Sequence, residues 1–372
     1  MYILWGIAVI ATFGGLAFLM EACGGSNSPV PFPNRGLWIA NSGGPTAIEF
    51  TTNQATAGGV VDPTPRLINQ SGSFVSPQDT VFDASSNLWV VDGGDGDGDA
   101  TEGVFEFSNS QLSSLGTTPN PVPVFAITNS EGVPGFVFPQ FAVFDSSGNL
   151  YVADPGANVI FLFTAMQLTS GSGTGLAPAA VFQIATSVAV LGEAFDASGN
   201  LFVADNGSTQ IFEINQSLIP LTGGTVSSPI VITASATLSS NLNETFASID
   251  APWGLVFDDQ GNLWFTNEGL SIDSGPSVVR FPSGSLYASG TPTPTGQMMP
   301  VVFNGNQSID DPQGISFDNV FNMAVANDAN NSIAIFGANQ NLQSTPVPKV
   351  FITGANTTLN APTGLIFGPN IN

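Results

Sequence analysis

One short unit recurs five times along the chain, and this repetition constrains the fold more than any other feature. In each copy an apolar segment ends in Phe-Asp, a turn rich in Ser, Gly or Asn follows, and a second apolar segment begins. The copies span residues 81–92, 143–154, 194–205, 256–267 and, in a more divergent form, 316–327. Gly and Asn supply the left-handed backbone that a tight turn needs, and Asp can accept hydrogen bonds from turn amides. Each copy is therefore predicted to be a β-hairpin.

Two further apolar segments follow each hairpin. The first ends on an aromatic or aliphatic residue and spans residues 104–107, 160–163, 211–214, 278–281 and 333–336. The second opens on or near Pro in most copies and spans residues 123–127, 181–184, 229–232, 300–303 and 348–352. Pro suits an outermost strand, where a lost amide donor costs least. Four antiparallel strands per repeat are the blade of a β-propeller.

Each end of the chain carries half of a further hairpin. Residues 36–41 have the pattern of a second strand without a first, and residues 362–367 have that of a first strand without a second. Joined, they complete a sixth blade and leave no exposed sheet edge at the closure. We therefore predict an all-β fold, a six-bladed β-propeller over residues 36–372, closed by pairing its C-terminal strand with N-terminal strands.

The repeats share the pattern Pro-x-Gly, then Asp, then Gly-Asn-Leu-Tyr-Val-Ala-Asp, whose last part is residues 148–154 in one copy. This pattern resembles the NHL repeat, and the resemblance covers nearly all of residues 36–367. The resemblance implies membership of a broad six-bladed group with gluconolactonase/senescence-marker proteins and virginiamycin B lyases. Gluconolactonase-like proteins carry metal-binding Asn or Asp at matching Pro-x-Gly sites. None of the six matching residues here is acidic, so that metal site is not carried over. The lyases rely on a His, which this chain lacks.

Charge excludes one class of partner. The chain has 28 Asp and Glu residues against four Lys and Arg residues, and its net charge is −24. Because phosphate contacts need Lys and Arg, we exclude nucleic acids and anionic lipid headgroups as partners. The absence of His also excludes a Ser-His-Asp triad.

The N-terminus resembles a bacterial lipoprotein signal peptide. An apolar run at residues 3–20 precedes Cys23, the only cysteine, and a Gly/Ser-containing stretch at residues 24–35 has the composition of a flexible tether. We predict export to the cell envelope or surface, with Cys23 lipidated and residues 1–23 serving as the signal. The alternative is an uncleaved membrane anchor, since the run reaches the lower end of spanning length. Either anchor would be the chain's only contact with the membrane.

Propeller ligands usually bind where the innermost strands begin, at the mouth of the central channel. Aligning the repeats places a neutral ring there, with the carboxylates of Asp79 and Glu193 nearby. A Trp among amides is compatible with a sugar or peptide ligand; alternatively these side chains fill the channel and bond one another. The ring consists of Gln78, Gln140, Leu191, Trp253, Gln313 and Thr363.

The second blade replaces its short loop with an acidic segment at residues 92–102. Gly separates the acids at Asp95, Asp97 and Asp99, and Glu102 follows three residues later. Ca²⁺ binds oxygen ligands of this kind on a flexible backbone. We predict a structural calcium site there, with a solvated acidic loop as the alternative. The Asp residues that recur in every hairpin are interpreted as turn-forming instead.

These observations leave three hypotheses. The first is a non-catalytic binding or scaffold module for an extracellular protein or glycan. The second is a calcium-dependent lactonase- or lyase-like enzyme that uses carboxylates at the channel mouth. The third is a polymer-forming surface protein, suggested by the uncharged Ser-, Thr- and Asn-rich loops.

Overall fold

The structure, a computed structural model, describes residues 36–368 apart from 70–73, 97–100, 116–120, 131–132, 171–174, 241–248, 270–274 and 304. Strands dominate it. The first nine are β1 (Leu37–Asn41), β2 (Thr46–Phe50), β3 (Gly59–Val61), β4 (Arg66–Asn69), β5 (Pro77–Phe82), β6 (Leu88–Asp92), β7 (Gly103–Phe107), β8 (Phe125–Thr128) and β9 (Phe141–Phe144). The next ten are β10 (Leu150–Asp154), β11 (Val159–Phe163), β12 (Ala180–Ile184), β13 (Val190–Phe195), β14 (Leu201–Asp205), β15 (Gln210–Ile214), β16 (Ile230–Ile232), β17 (Ala236–Ser239), β18 (Pro252–Phe257) and β19 (Leu263–Asn267). The last nine are β20 (Ser277–Phe281), β21 (Gly296–Met298), β22 (Val302–Phe303), β23 (Asn306–Gln307), β24 (Pro312–Phe317), β25 (Met323–Asn327), β26 (Ser332–Phe336), β27 (Val350–Ile352) and β28 (Pro362–Phe367).

Helices in the described residues are short. They are α1 (Thr52–Ala55), α2 (Asn109–Ser113), α3 (Ala165–Ser170) and the 3₁₀ turns Gln216–Leu218, Ser283–Ser285 and Ala355–Thr357. No helix in this part of the chain is long and apolar enough to cross a membrane.

The strands form six blades around a central axis. Blade 1 has the order β28-β1-β2-β4, so the C-terminal strand is its innermost member, as predicted. Blade 2 is β5-β6-β7-β8, blade 3 is β9-β10-β11-β12-β16, and blade 4 is β13-β14-β15-β17. Blade 5 is β18-β19-β20-β21, and blade 6 is β24-β25-β26-β27-β3. The predicted six-bladed propeller is confirmed.

The core consists of six layers, one between each pair of neighbouring blades. Successive residues of a strand point to opposite faces, and each face of an inner strand meets another blade. In β10, for example, Leu150 and Val152 pack towards blade 2, whereas Tyr151 and Ala153 pack towards blade 4. The strands therefore read as continuous apolar runs and not as alternating ones.

Two predicted outer strands have different partners from those expected. Residues 229–232 were assigned to blade 4, but β16 pairs in parallel with β12 as a fifth strand of blade 3, and β17 takes the outer position. Residues 300–303 were assigned to blade 5, but β21 takes that position, and β22 forms a separate hairpin with β23. An apolar segment specifies a strand, whereas its partner depends on which exposed edge the connecting loop brings within reach.

Candidate functional site

Six equivalent hexapeptides line the central channel, one in each blade. They are residues 77–82, 139–144, 190–195, 252–257, 312–317 and 362–367. Most pair with the next strand through a β-bulge near their second and third positions, which re-aims those side chains. The second position holds the neutral ring predicted for the channel mouth. Trp253 is half-buried. The other five members of the ring are buried, and they are Gln78, Gln140, Leu191, Gln313 and Thr363.

On one side of the mouth the ring residues bond one another. Gln140 Nε2 donates to Gln78 Oε1 at 3.4 Å, and Gln78 Nε2 donates to Ser76 Oγ at 2.7 Å. Thr363 Oγ1 donates to the backbone oxygen of Gln78 at 2.7 Å. This side fits the interpretation that the ring fills the channel.

On the other side of the mouth two ring residues turn to acids. Trp253 Nε1 donates to Glu268 Oε2 at 3.1 Å, and Gln313 Nε2 donates to Asp311 Oδ1 at 3.2 Å. Asp328 lies next to Asp311, because its backbone amide donates to the carbonyl of Asp311 at 3.1 Å. We call Glu268, Asp311 and Asp328 the acidic rim.

The acidic rim carries mutually repelling charges. Burial raises the pKa of Asp311 to about 6, and the negative charges of Glu268 and Asp328 add to this increase. Burial likewise raises the pKa of Asp328, again with a contribution from Glu268. These three acids are not among the predicted site residues. Glu268 and Asp328 directly follow the second strand of their blades, and Asp311 directly precedes the innermost strand of its blade. None of the equivalent residues is acidic: after the second strand they are Ser42, Gly93, Pro155 and Asn206, and before the innermost strand they are Ser76, Phe138, Ala189, Ala251 and Ala361.

The third and fourth positions of the hexapeptides close the channel below the ring. Four blades have Gly at the third position, whereas blades 2 and 3 have Asp79 and Phe141. At the fourth position Glu193 is the only acid. Asp79 and Glu193 are thus the two acidic departures from an otherwise small or largely apolar lining.

Asp79 and Glu193 are deeply buried at the centre of the propeller. They line a cavity of about 30 Å³ to which all six innermost strands contribute. Asp79 Oδ2 accepts a hydrogen bond from the Ala142 amide at 3.2 Å, whereas the Glu193 carboxyl oxygens have no partner among the described residues. Burial raises the pKa of Asp79 to about 8. Burial, and then the charge of Asp79, raises the pKa of Glu193 well above its usual range.

The predicted calcium loop is only partly within the described residues. Asp97 and Asp99 lie outside them, so the calcium site stays a prediction. Of the other two proposed ligands, Asp95 is exposed and Glu102 is buried. Among the described residues, no three Asp, Glu, His or Cys side chains are grouped so that they could hold a metal ion.

The recurring acids have the turn-forming role that was inferred for them. Asp145 Oδ1 accepts from the Ser147 and Asn149 amides at 2.8 and 2.9 Å, and Asp196 makes the same contacts in blade 4. At the other end of the hairpin, Asp154 accepts from the amides of residues 137, 138 and 157. These carboxylates therefore accept hydrogen bonds from backbone amides and stabilise the turns.

A larger concavity lies at the opposite end of the propeller. It spans blades 3 to 5 and has a volume of about 620 Å³. Tyr151, Gln216 and Leu221 line it together with the hairpin turns of these blades. Its size falls within the range of small-molecule sites.

Comparison with known proteins supports the fold alone. No protein-family model and no curated protein matches the sequence. A candidate 6-phosphogluconolactonase from Bacteroides fragilis superposes with a TM-score of 0.54 at 13% identity, covering 90% of this chain and 98% of that chain. A protein of unknown function from Bacteroides caccae and a chain of the nidogen/laminin complex each superpose with a TM-score of 0.54 at 11% identity, covering 90% of this chain and 99% of theirs. Chains of this propeller architecture thus include a candidate enzyme and a component of a protein complex, and the likeness identifies the six-bladed fold.

Proposed function

We propose that this chain is an NHL-type propeller that acts as a non-catalytic binding or scaffold module for an extracellular protein or glycan. We further propose that it is exported and tethered to the cell envelope by a lipid on Cys23, which lies outside the described residues. Intact repeats support the first proposal, and the apolar run before Cys23 supports the second.

The observation that carries the proposal is the closed channel. The cavity at Asp79 and Glu193 has a volume of about 30 Å³, which is room for one or two water molecules. Small-molecule sites have volumes of roughly 300–1,000 Å³. A sugar lactone therefore could not reach these carboxylates unless the blades moved apart. A raised pKa also keeps Asp79 protonated at neutral pH, where it could not act as a general base.

A capture experiment tests the binding role. The chain would be displayed on cells of its own source, cross-linked, purified and analysed for reproducible companions, and each companion would be tested for direct binding to the purified propeller. A companion protein or glycan that binds directly supports the proposal. The proposal fails if no companion binds the purified chain while a lactone or uronic polymer is turned over.

The calcium-dependent lactonase- or lyase-like enzyme is the second candidate. It is favoured by one observation, the Glu193 carboxyl that has no hydrogen-bond partner among the described residues. The Asp79→Asn/Glu193→Gln variant separates the two functions, because it removes both central acids with little change of volume. Turnover of a lactone in the presence of Ca²⁺ that disappears in this variant establishes the enzyme. Equal binding of a captured companion by the variant and the wild-type chain favours the binding module.

The tether is tested by metabolic labelling with a fatty acid. Label is expected on the wild-type chain and not on Cys23→Ser. Label that persists in the variant rejects lipidation of Cys23, and membrane association of an unlabelled wild-type chain supports the membrane-spanning alternative.

A further inference from the structure

The acidic rim lacks a compensating basic residue in the described part of the chain. The structure describes three basic residues. Arg66 forms an ion pair with Glu49, Arg280 lies 3.6 Å from Asp258, and Lys349 is an exposed residue just before an outer strand. None of these three is paired with a rim residue, so no basic residue in the described part of the chain neutralises the rim's negative charge.

A buried acceptor adjoins the rim and has no donor among the residues that the structure describes. The Gln313 amide is bonded through Nε2 to Asp311 Oδ1. Its Oε1 is buried and receives no hydrogen bond from a described residue, although only 3% of Gln313 is exposed. Leaving a buried acceptor unsatisfied costs on the order of 1–3 kcal/mol, so such an atom usually has a partner from outside the chain.

An aromatic ring completes this side of the mouth. Trp253 is half-buried, and its indole is oriented by the hydrogen bond to Glu268, the first member of the rim. An indole face attracts an ammonium or guanidinium group, and carboxylates and amide oxygens accept its N–H donors. Trp253, the acidic rim and Gln313 Oε1 therefore lie on the same side of the mouth, and each complements a group of an organic cation.

We propose that this part of the mouth, between blades 5 and 6, binds a basic side chain, Lys or Arg, presented by a partner protein. The inference rests on the proposed binding function and specifies the chemistry of the contact. An organic cation satisfies the observations better than a bare metal ion, since it supplies both N–H donors for Gln313 and a flat or alkyl surface for Trp253. The rim's charge would also draw such a partner over a distance of about 8–10 Å at physiological ionic strength.

Side-chain mimics of the partner test the proposal. The probes are N-acetyl-lysine methylamide and N-acetyl-arginine methylamide, with N-acetyl-norleucine methylamide as the uncharged match. Binding would be followed by NMR through the indole N–H signal of Trp253, assigned with Trp253→Phe. The cationic probes are expected to shift this signal with dissociation constants on the order of millimolar, and added salt is expected to weaken them. The uncharged probe is expected to leave the signal in place.

A pair of isoelectric variants provides the control. Glu268→Gln/Asp328→Asn removes two rim charges while keeping a hydrogen-bond acceptor for Trp253, and it is expected to weaken the cationic probes at least tenfold. Asp62→Asn/Asp259→Asn removes two charges from exposed residues elsewhere and is expected to bind like the wild-type chain. Retained two-dimensional amide spectra would show that both variants are folded.

Three results would overturn the inference. They are equal shifts with the uncharged probe, equal weakening by the two double variants, and a Ca²⁺ titration that shifts the Trp253 signal and is not displaced by the cationic probes. A companion protein that binds directly while the cationic probes fail would reject the rim as the contact and leave the proposed function standing.

Discussion

At the scale of single residues, the centre of the propeller is dominated by the cost of removing carboxylates from water. Asp79 gains backbone hydrogen bonds from Ala142 and Thr80, and Glu193 gains none from the described residues. Desolvation outweighs this gain, which is why the pKa of both groups is raised and not lowered. The cavity between them is small enough that water replaces little of the lost hydration.

The raised pKa of Asp79 predicts a pH dependence of stability. Folding raises this pKa from 3.8 to about 8, so the folded chain holds a proton that the unfolded chain releases. The free energy of unfolding should therefore be highest below pH 4 for this group and fall as the pH rises towards 8, by up to about 1.4 kcal/mol per pH unit. Asp79→Asn should remove the contribution of this one proton to the slope of the free energy of unfolding against pH. Urea unfolding measured from pH 4 to pH 8 would reveal it.

Asp259→Asn is the control for that experiment, because Asp259 is an exposed turn residue. Its profile should match that of the wild-type chain. A slope that is the same in Asp79→Asn as in the wild-type chain would contradict the assignment of a buried, protonated Asp79.

Sequence alone could locate the mouth ring but could not rank its members. Alignment of the hexapeptides assigns Gln78, Trp253 and Gln313 to one equivalent position, because these three blades share the same bulged inner strand. The acidic rim was missed because its acids belong to loops, and their approach depends on how two neighbouring blades pack. Nothing in the local pattern around Glu268 or Asp311 reveals that the two carboxylates influence each other.

At the scale of elements, the innermost strands approach one another more closely than side chains allow. A Cβ added to Gly192 would lie 2.0 Å from the Trp253 carbonyl oxygen, and one added to Gly254 would lie 2.7 Å from the Gln313 carbonyl oxygen. Both obstacles are backbone atoms of the next blade, which cannot rotate away as a side chain can. Gly at the third hexapeptide position of blades 4 and 5 is thus required by the narrowness of the channel.

Gly192→Ala is accordingly expected to destabilise the fold. A new methyl group must push blades 4 and 5 apart, and overpacking of this kind costs roughly 1–3 kcal/mol. Gly284→Ala is the matched control, since a Cβ at Gly284 meets nothing within 4 Å. The midpoint of urea unfolding should fall for Gly192→Ala and stay close to that of the wild-type chain for Gly284→Ala. Equal midpoints would show that the inner strands are free to separate.

Element prediction succeeded where two faces are buried and failed at the rims of the blades. The inner three strands of each blade are fixed by the core layers on both faces, so their apolar runs define them. An outer strand has only one neighbour within its sheet. For that reason β16 could join blade 3 and β3 could join blade 6, each in parallel, without any change in their sequence pattern.

At the scale of the whole molecule, stability depends on closing the ring. The innermost strand of blade 1, β28, comes from the C-terminus and pairs antiparallel with β1, with Leu37 opposite Phe367. Leu365 and Phe367 enter the layer shared with blade 6, and Ile366 enters the layer shared with blade 2. One strand therefore contributes to two of the six core layers, and its loss would leave both incomplete.

Deleting residues 362–372 is expected to abolish cooperative unfolding, because it exposes β1 and opens two core layers to water. The comparison is a circular permutant that keeps every strand. The amide of Gly368 already donates to the carbonyl of Gly36 at 3.0 Å, so the two ends can be joined by a turn copied from residues 196–200. New termini would lie between residues 291 and 292, in an exposed segment. The permutant should unfold in one cooperative transition near the wild-type temperature, because all four strands of its blade 1 are consecutive in the chain, as in blade 2. A truncated chain that also unfolds in one such transition would show that the blades are stable without closure of the ring.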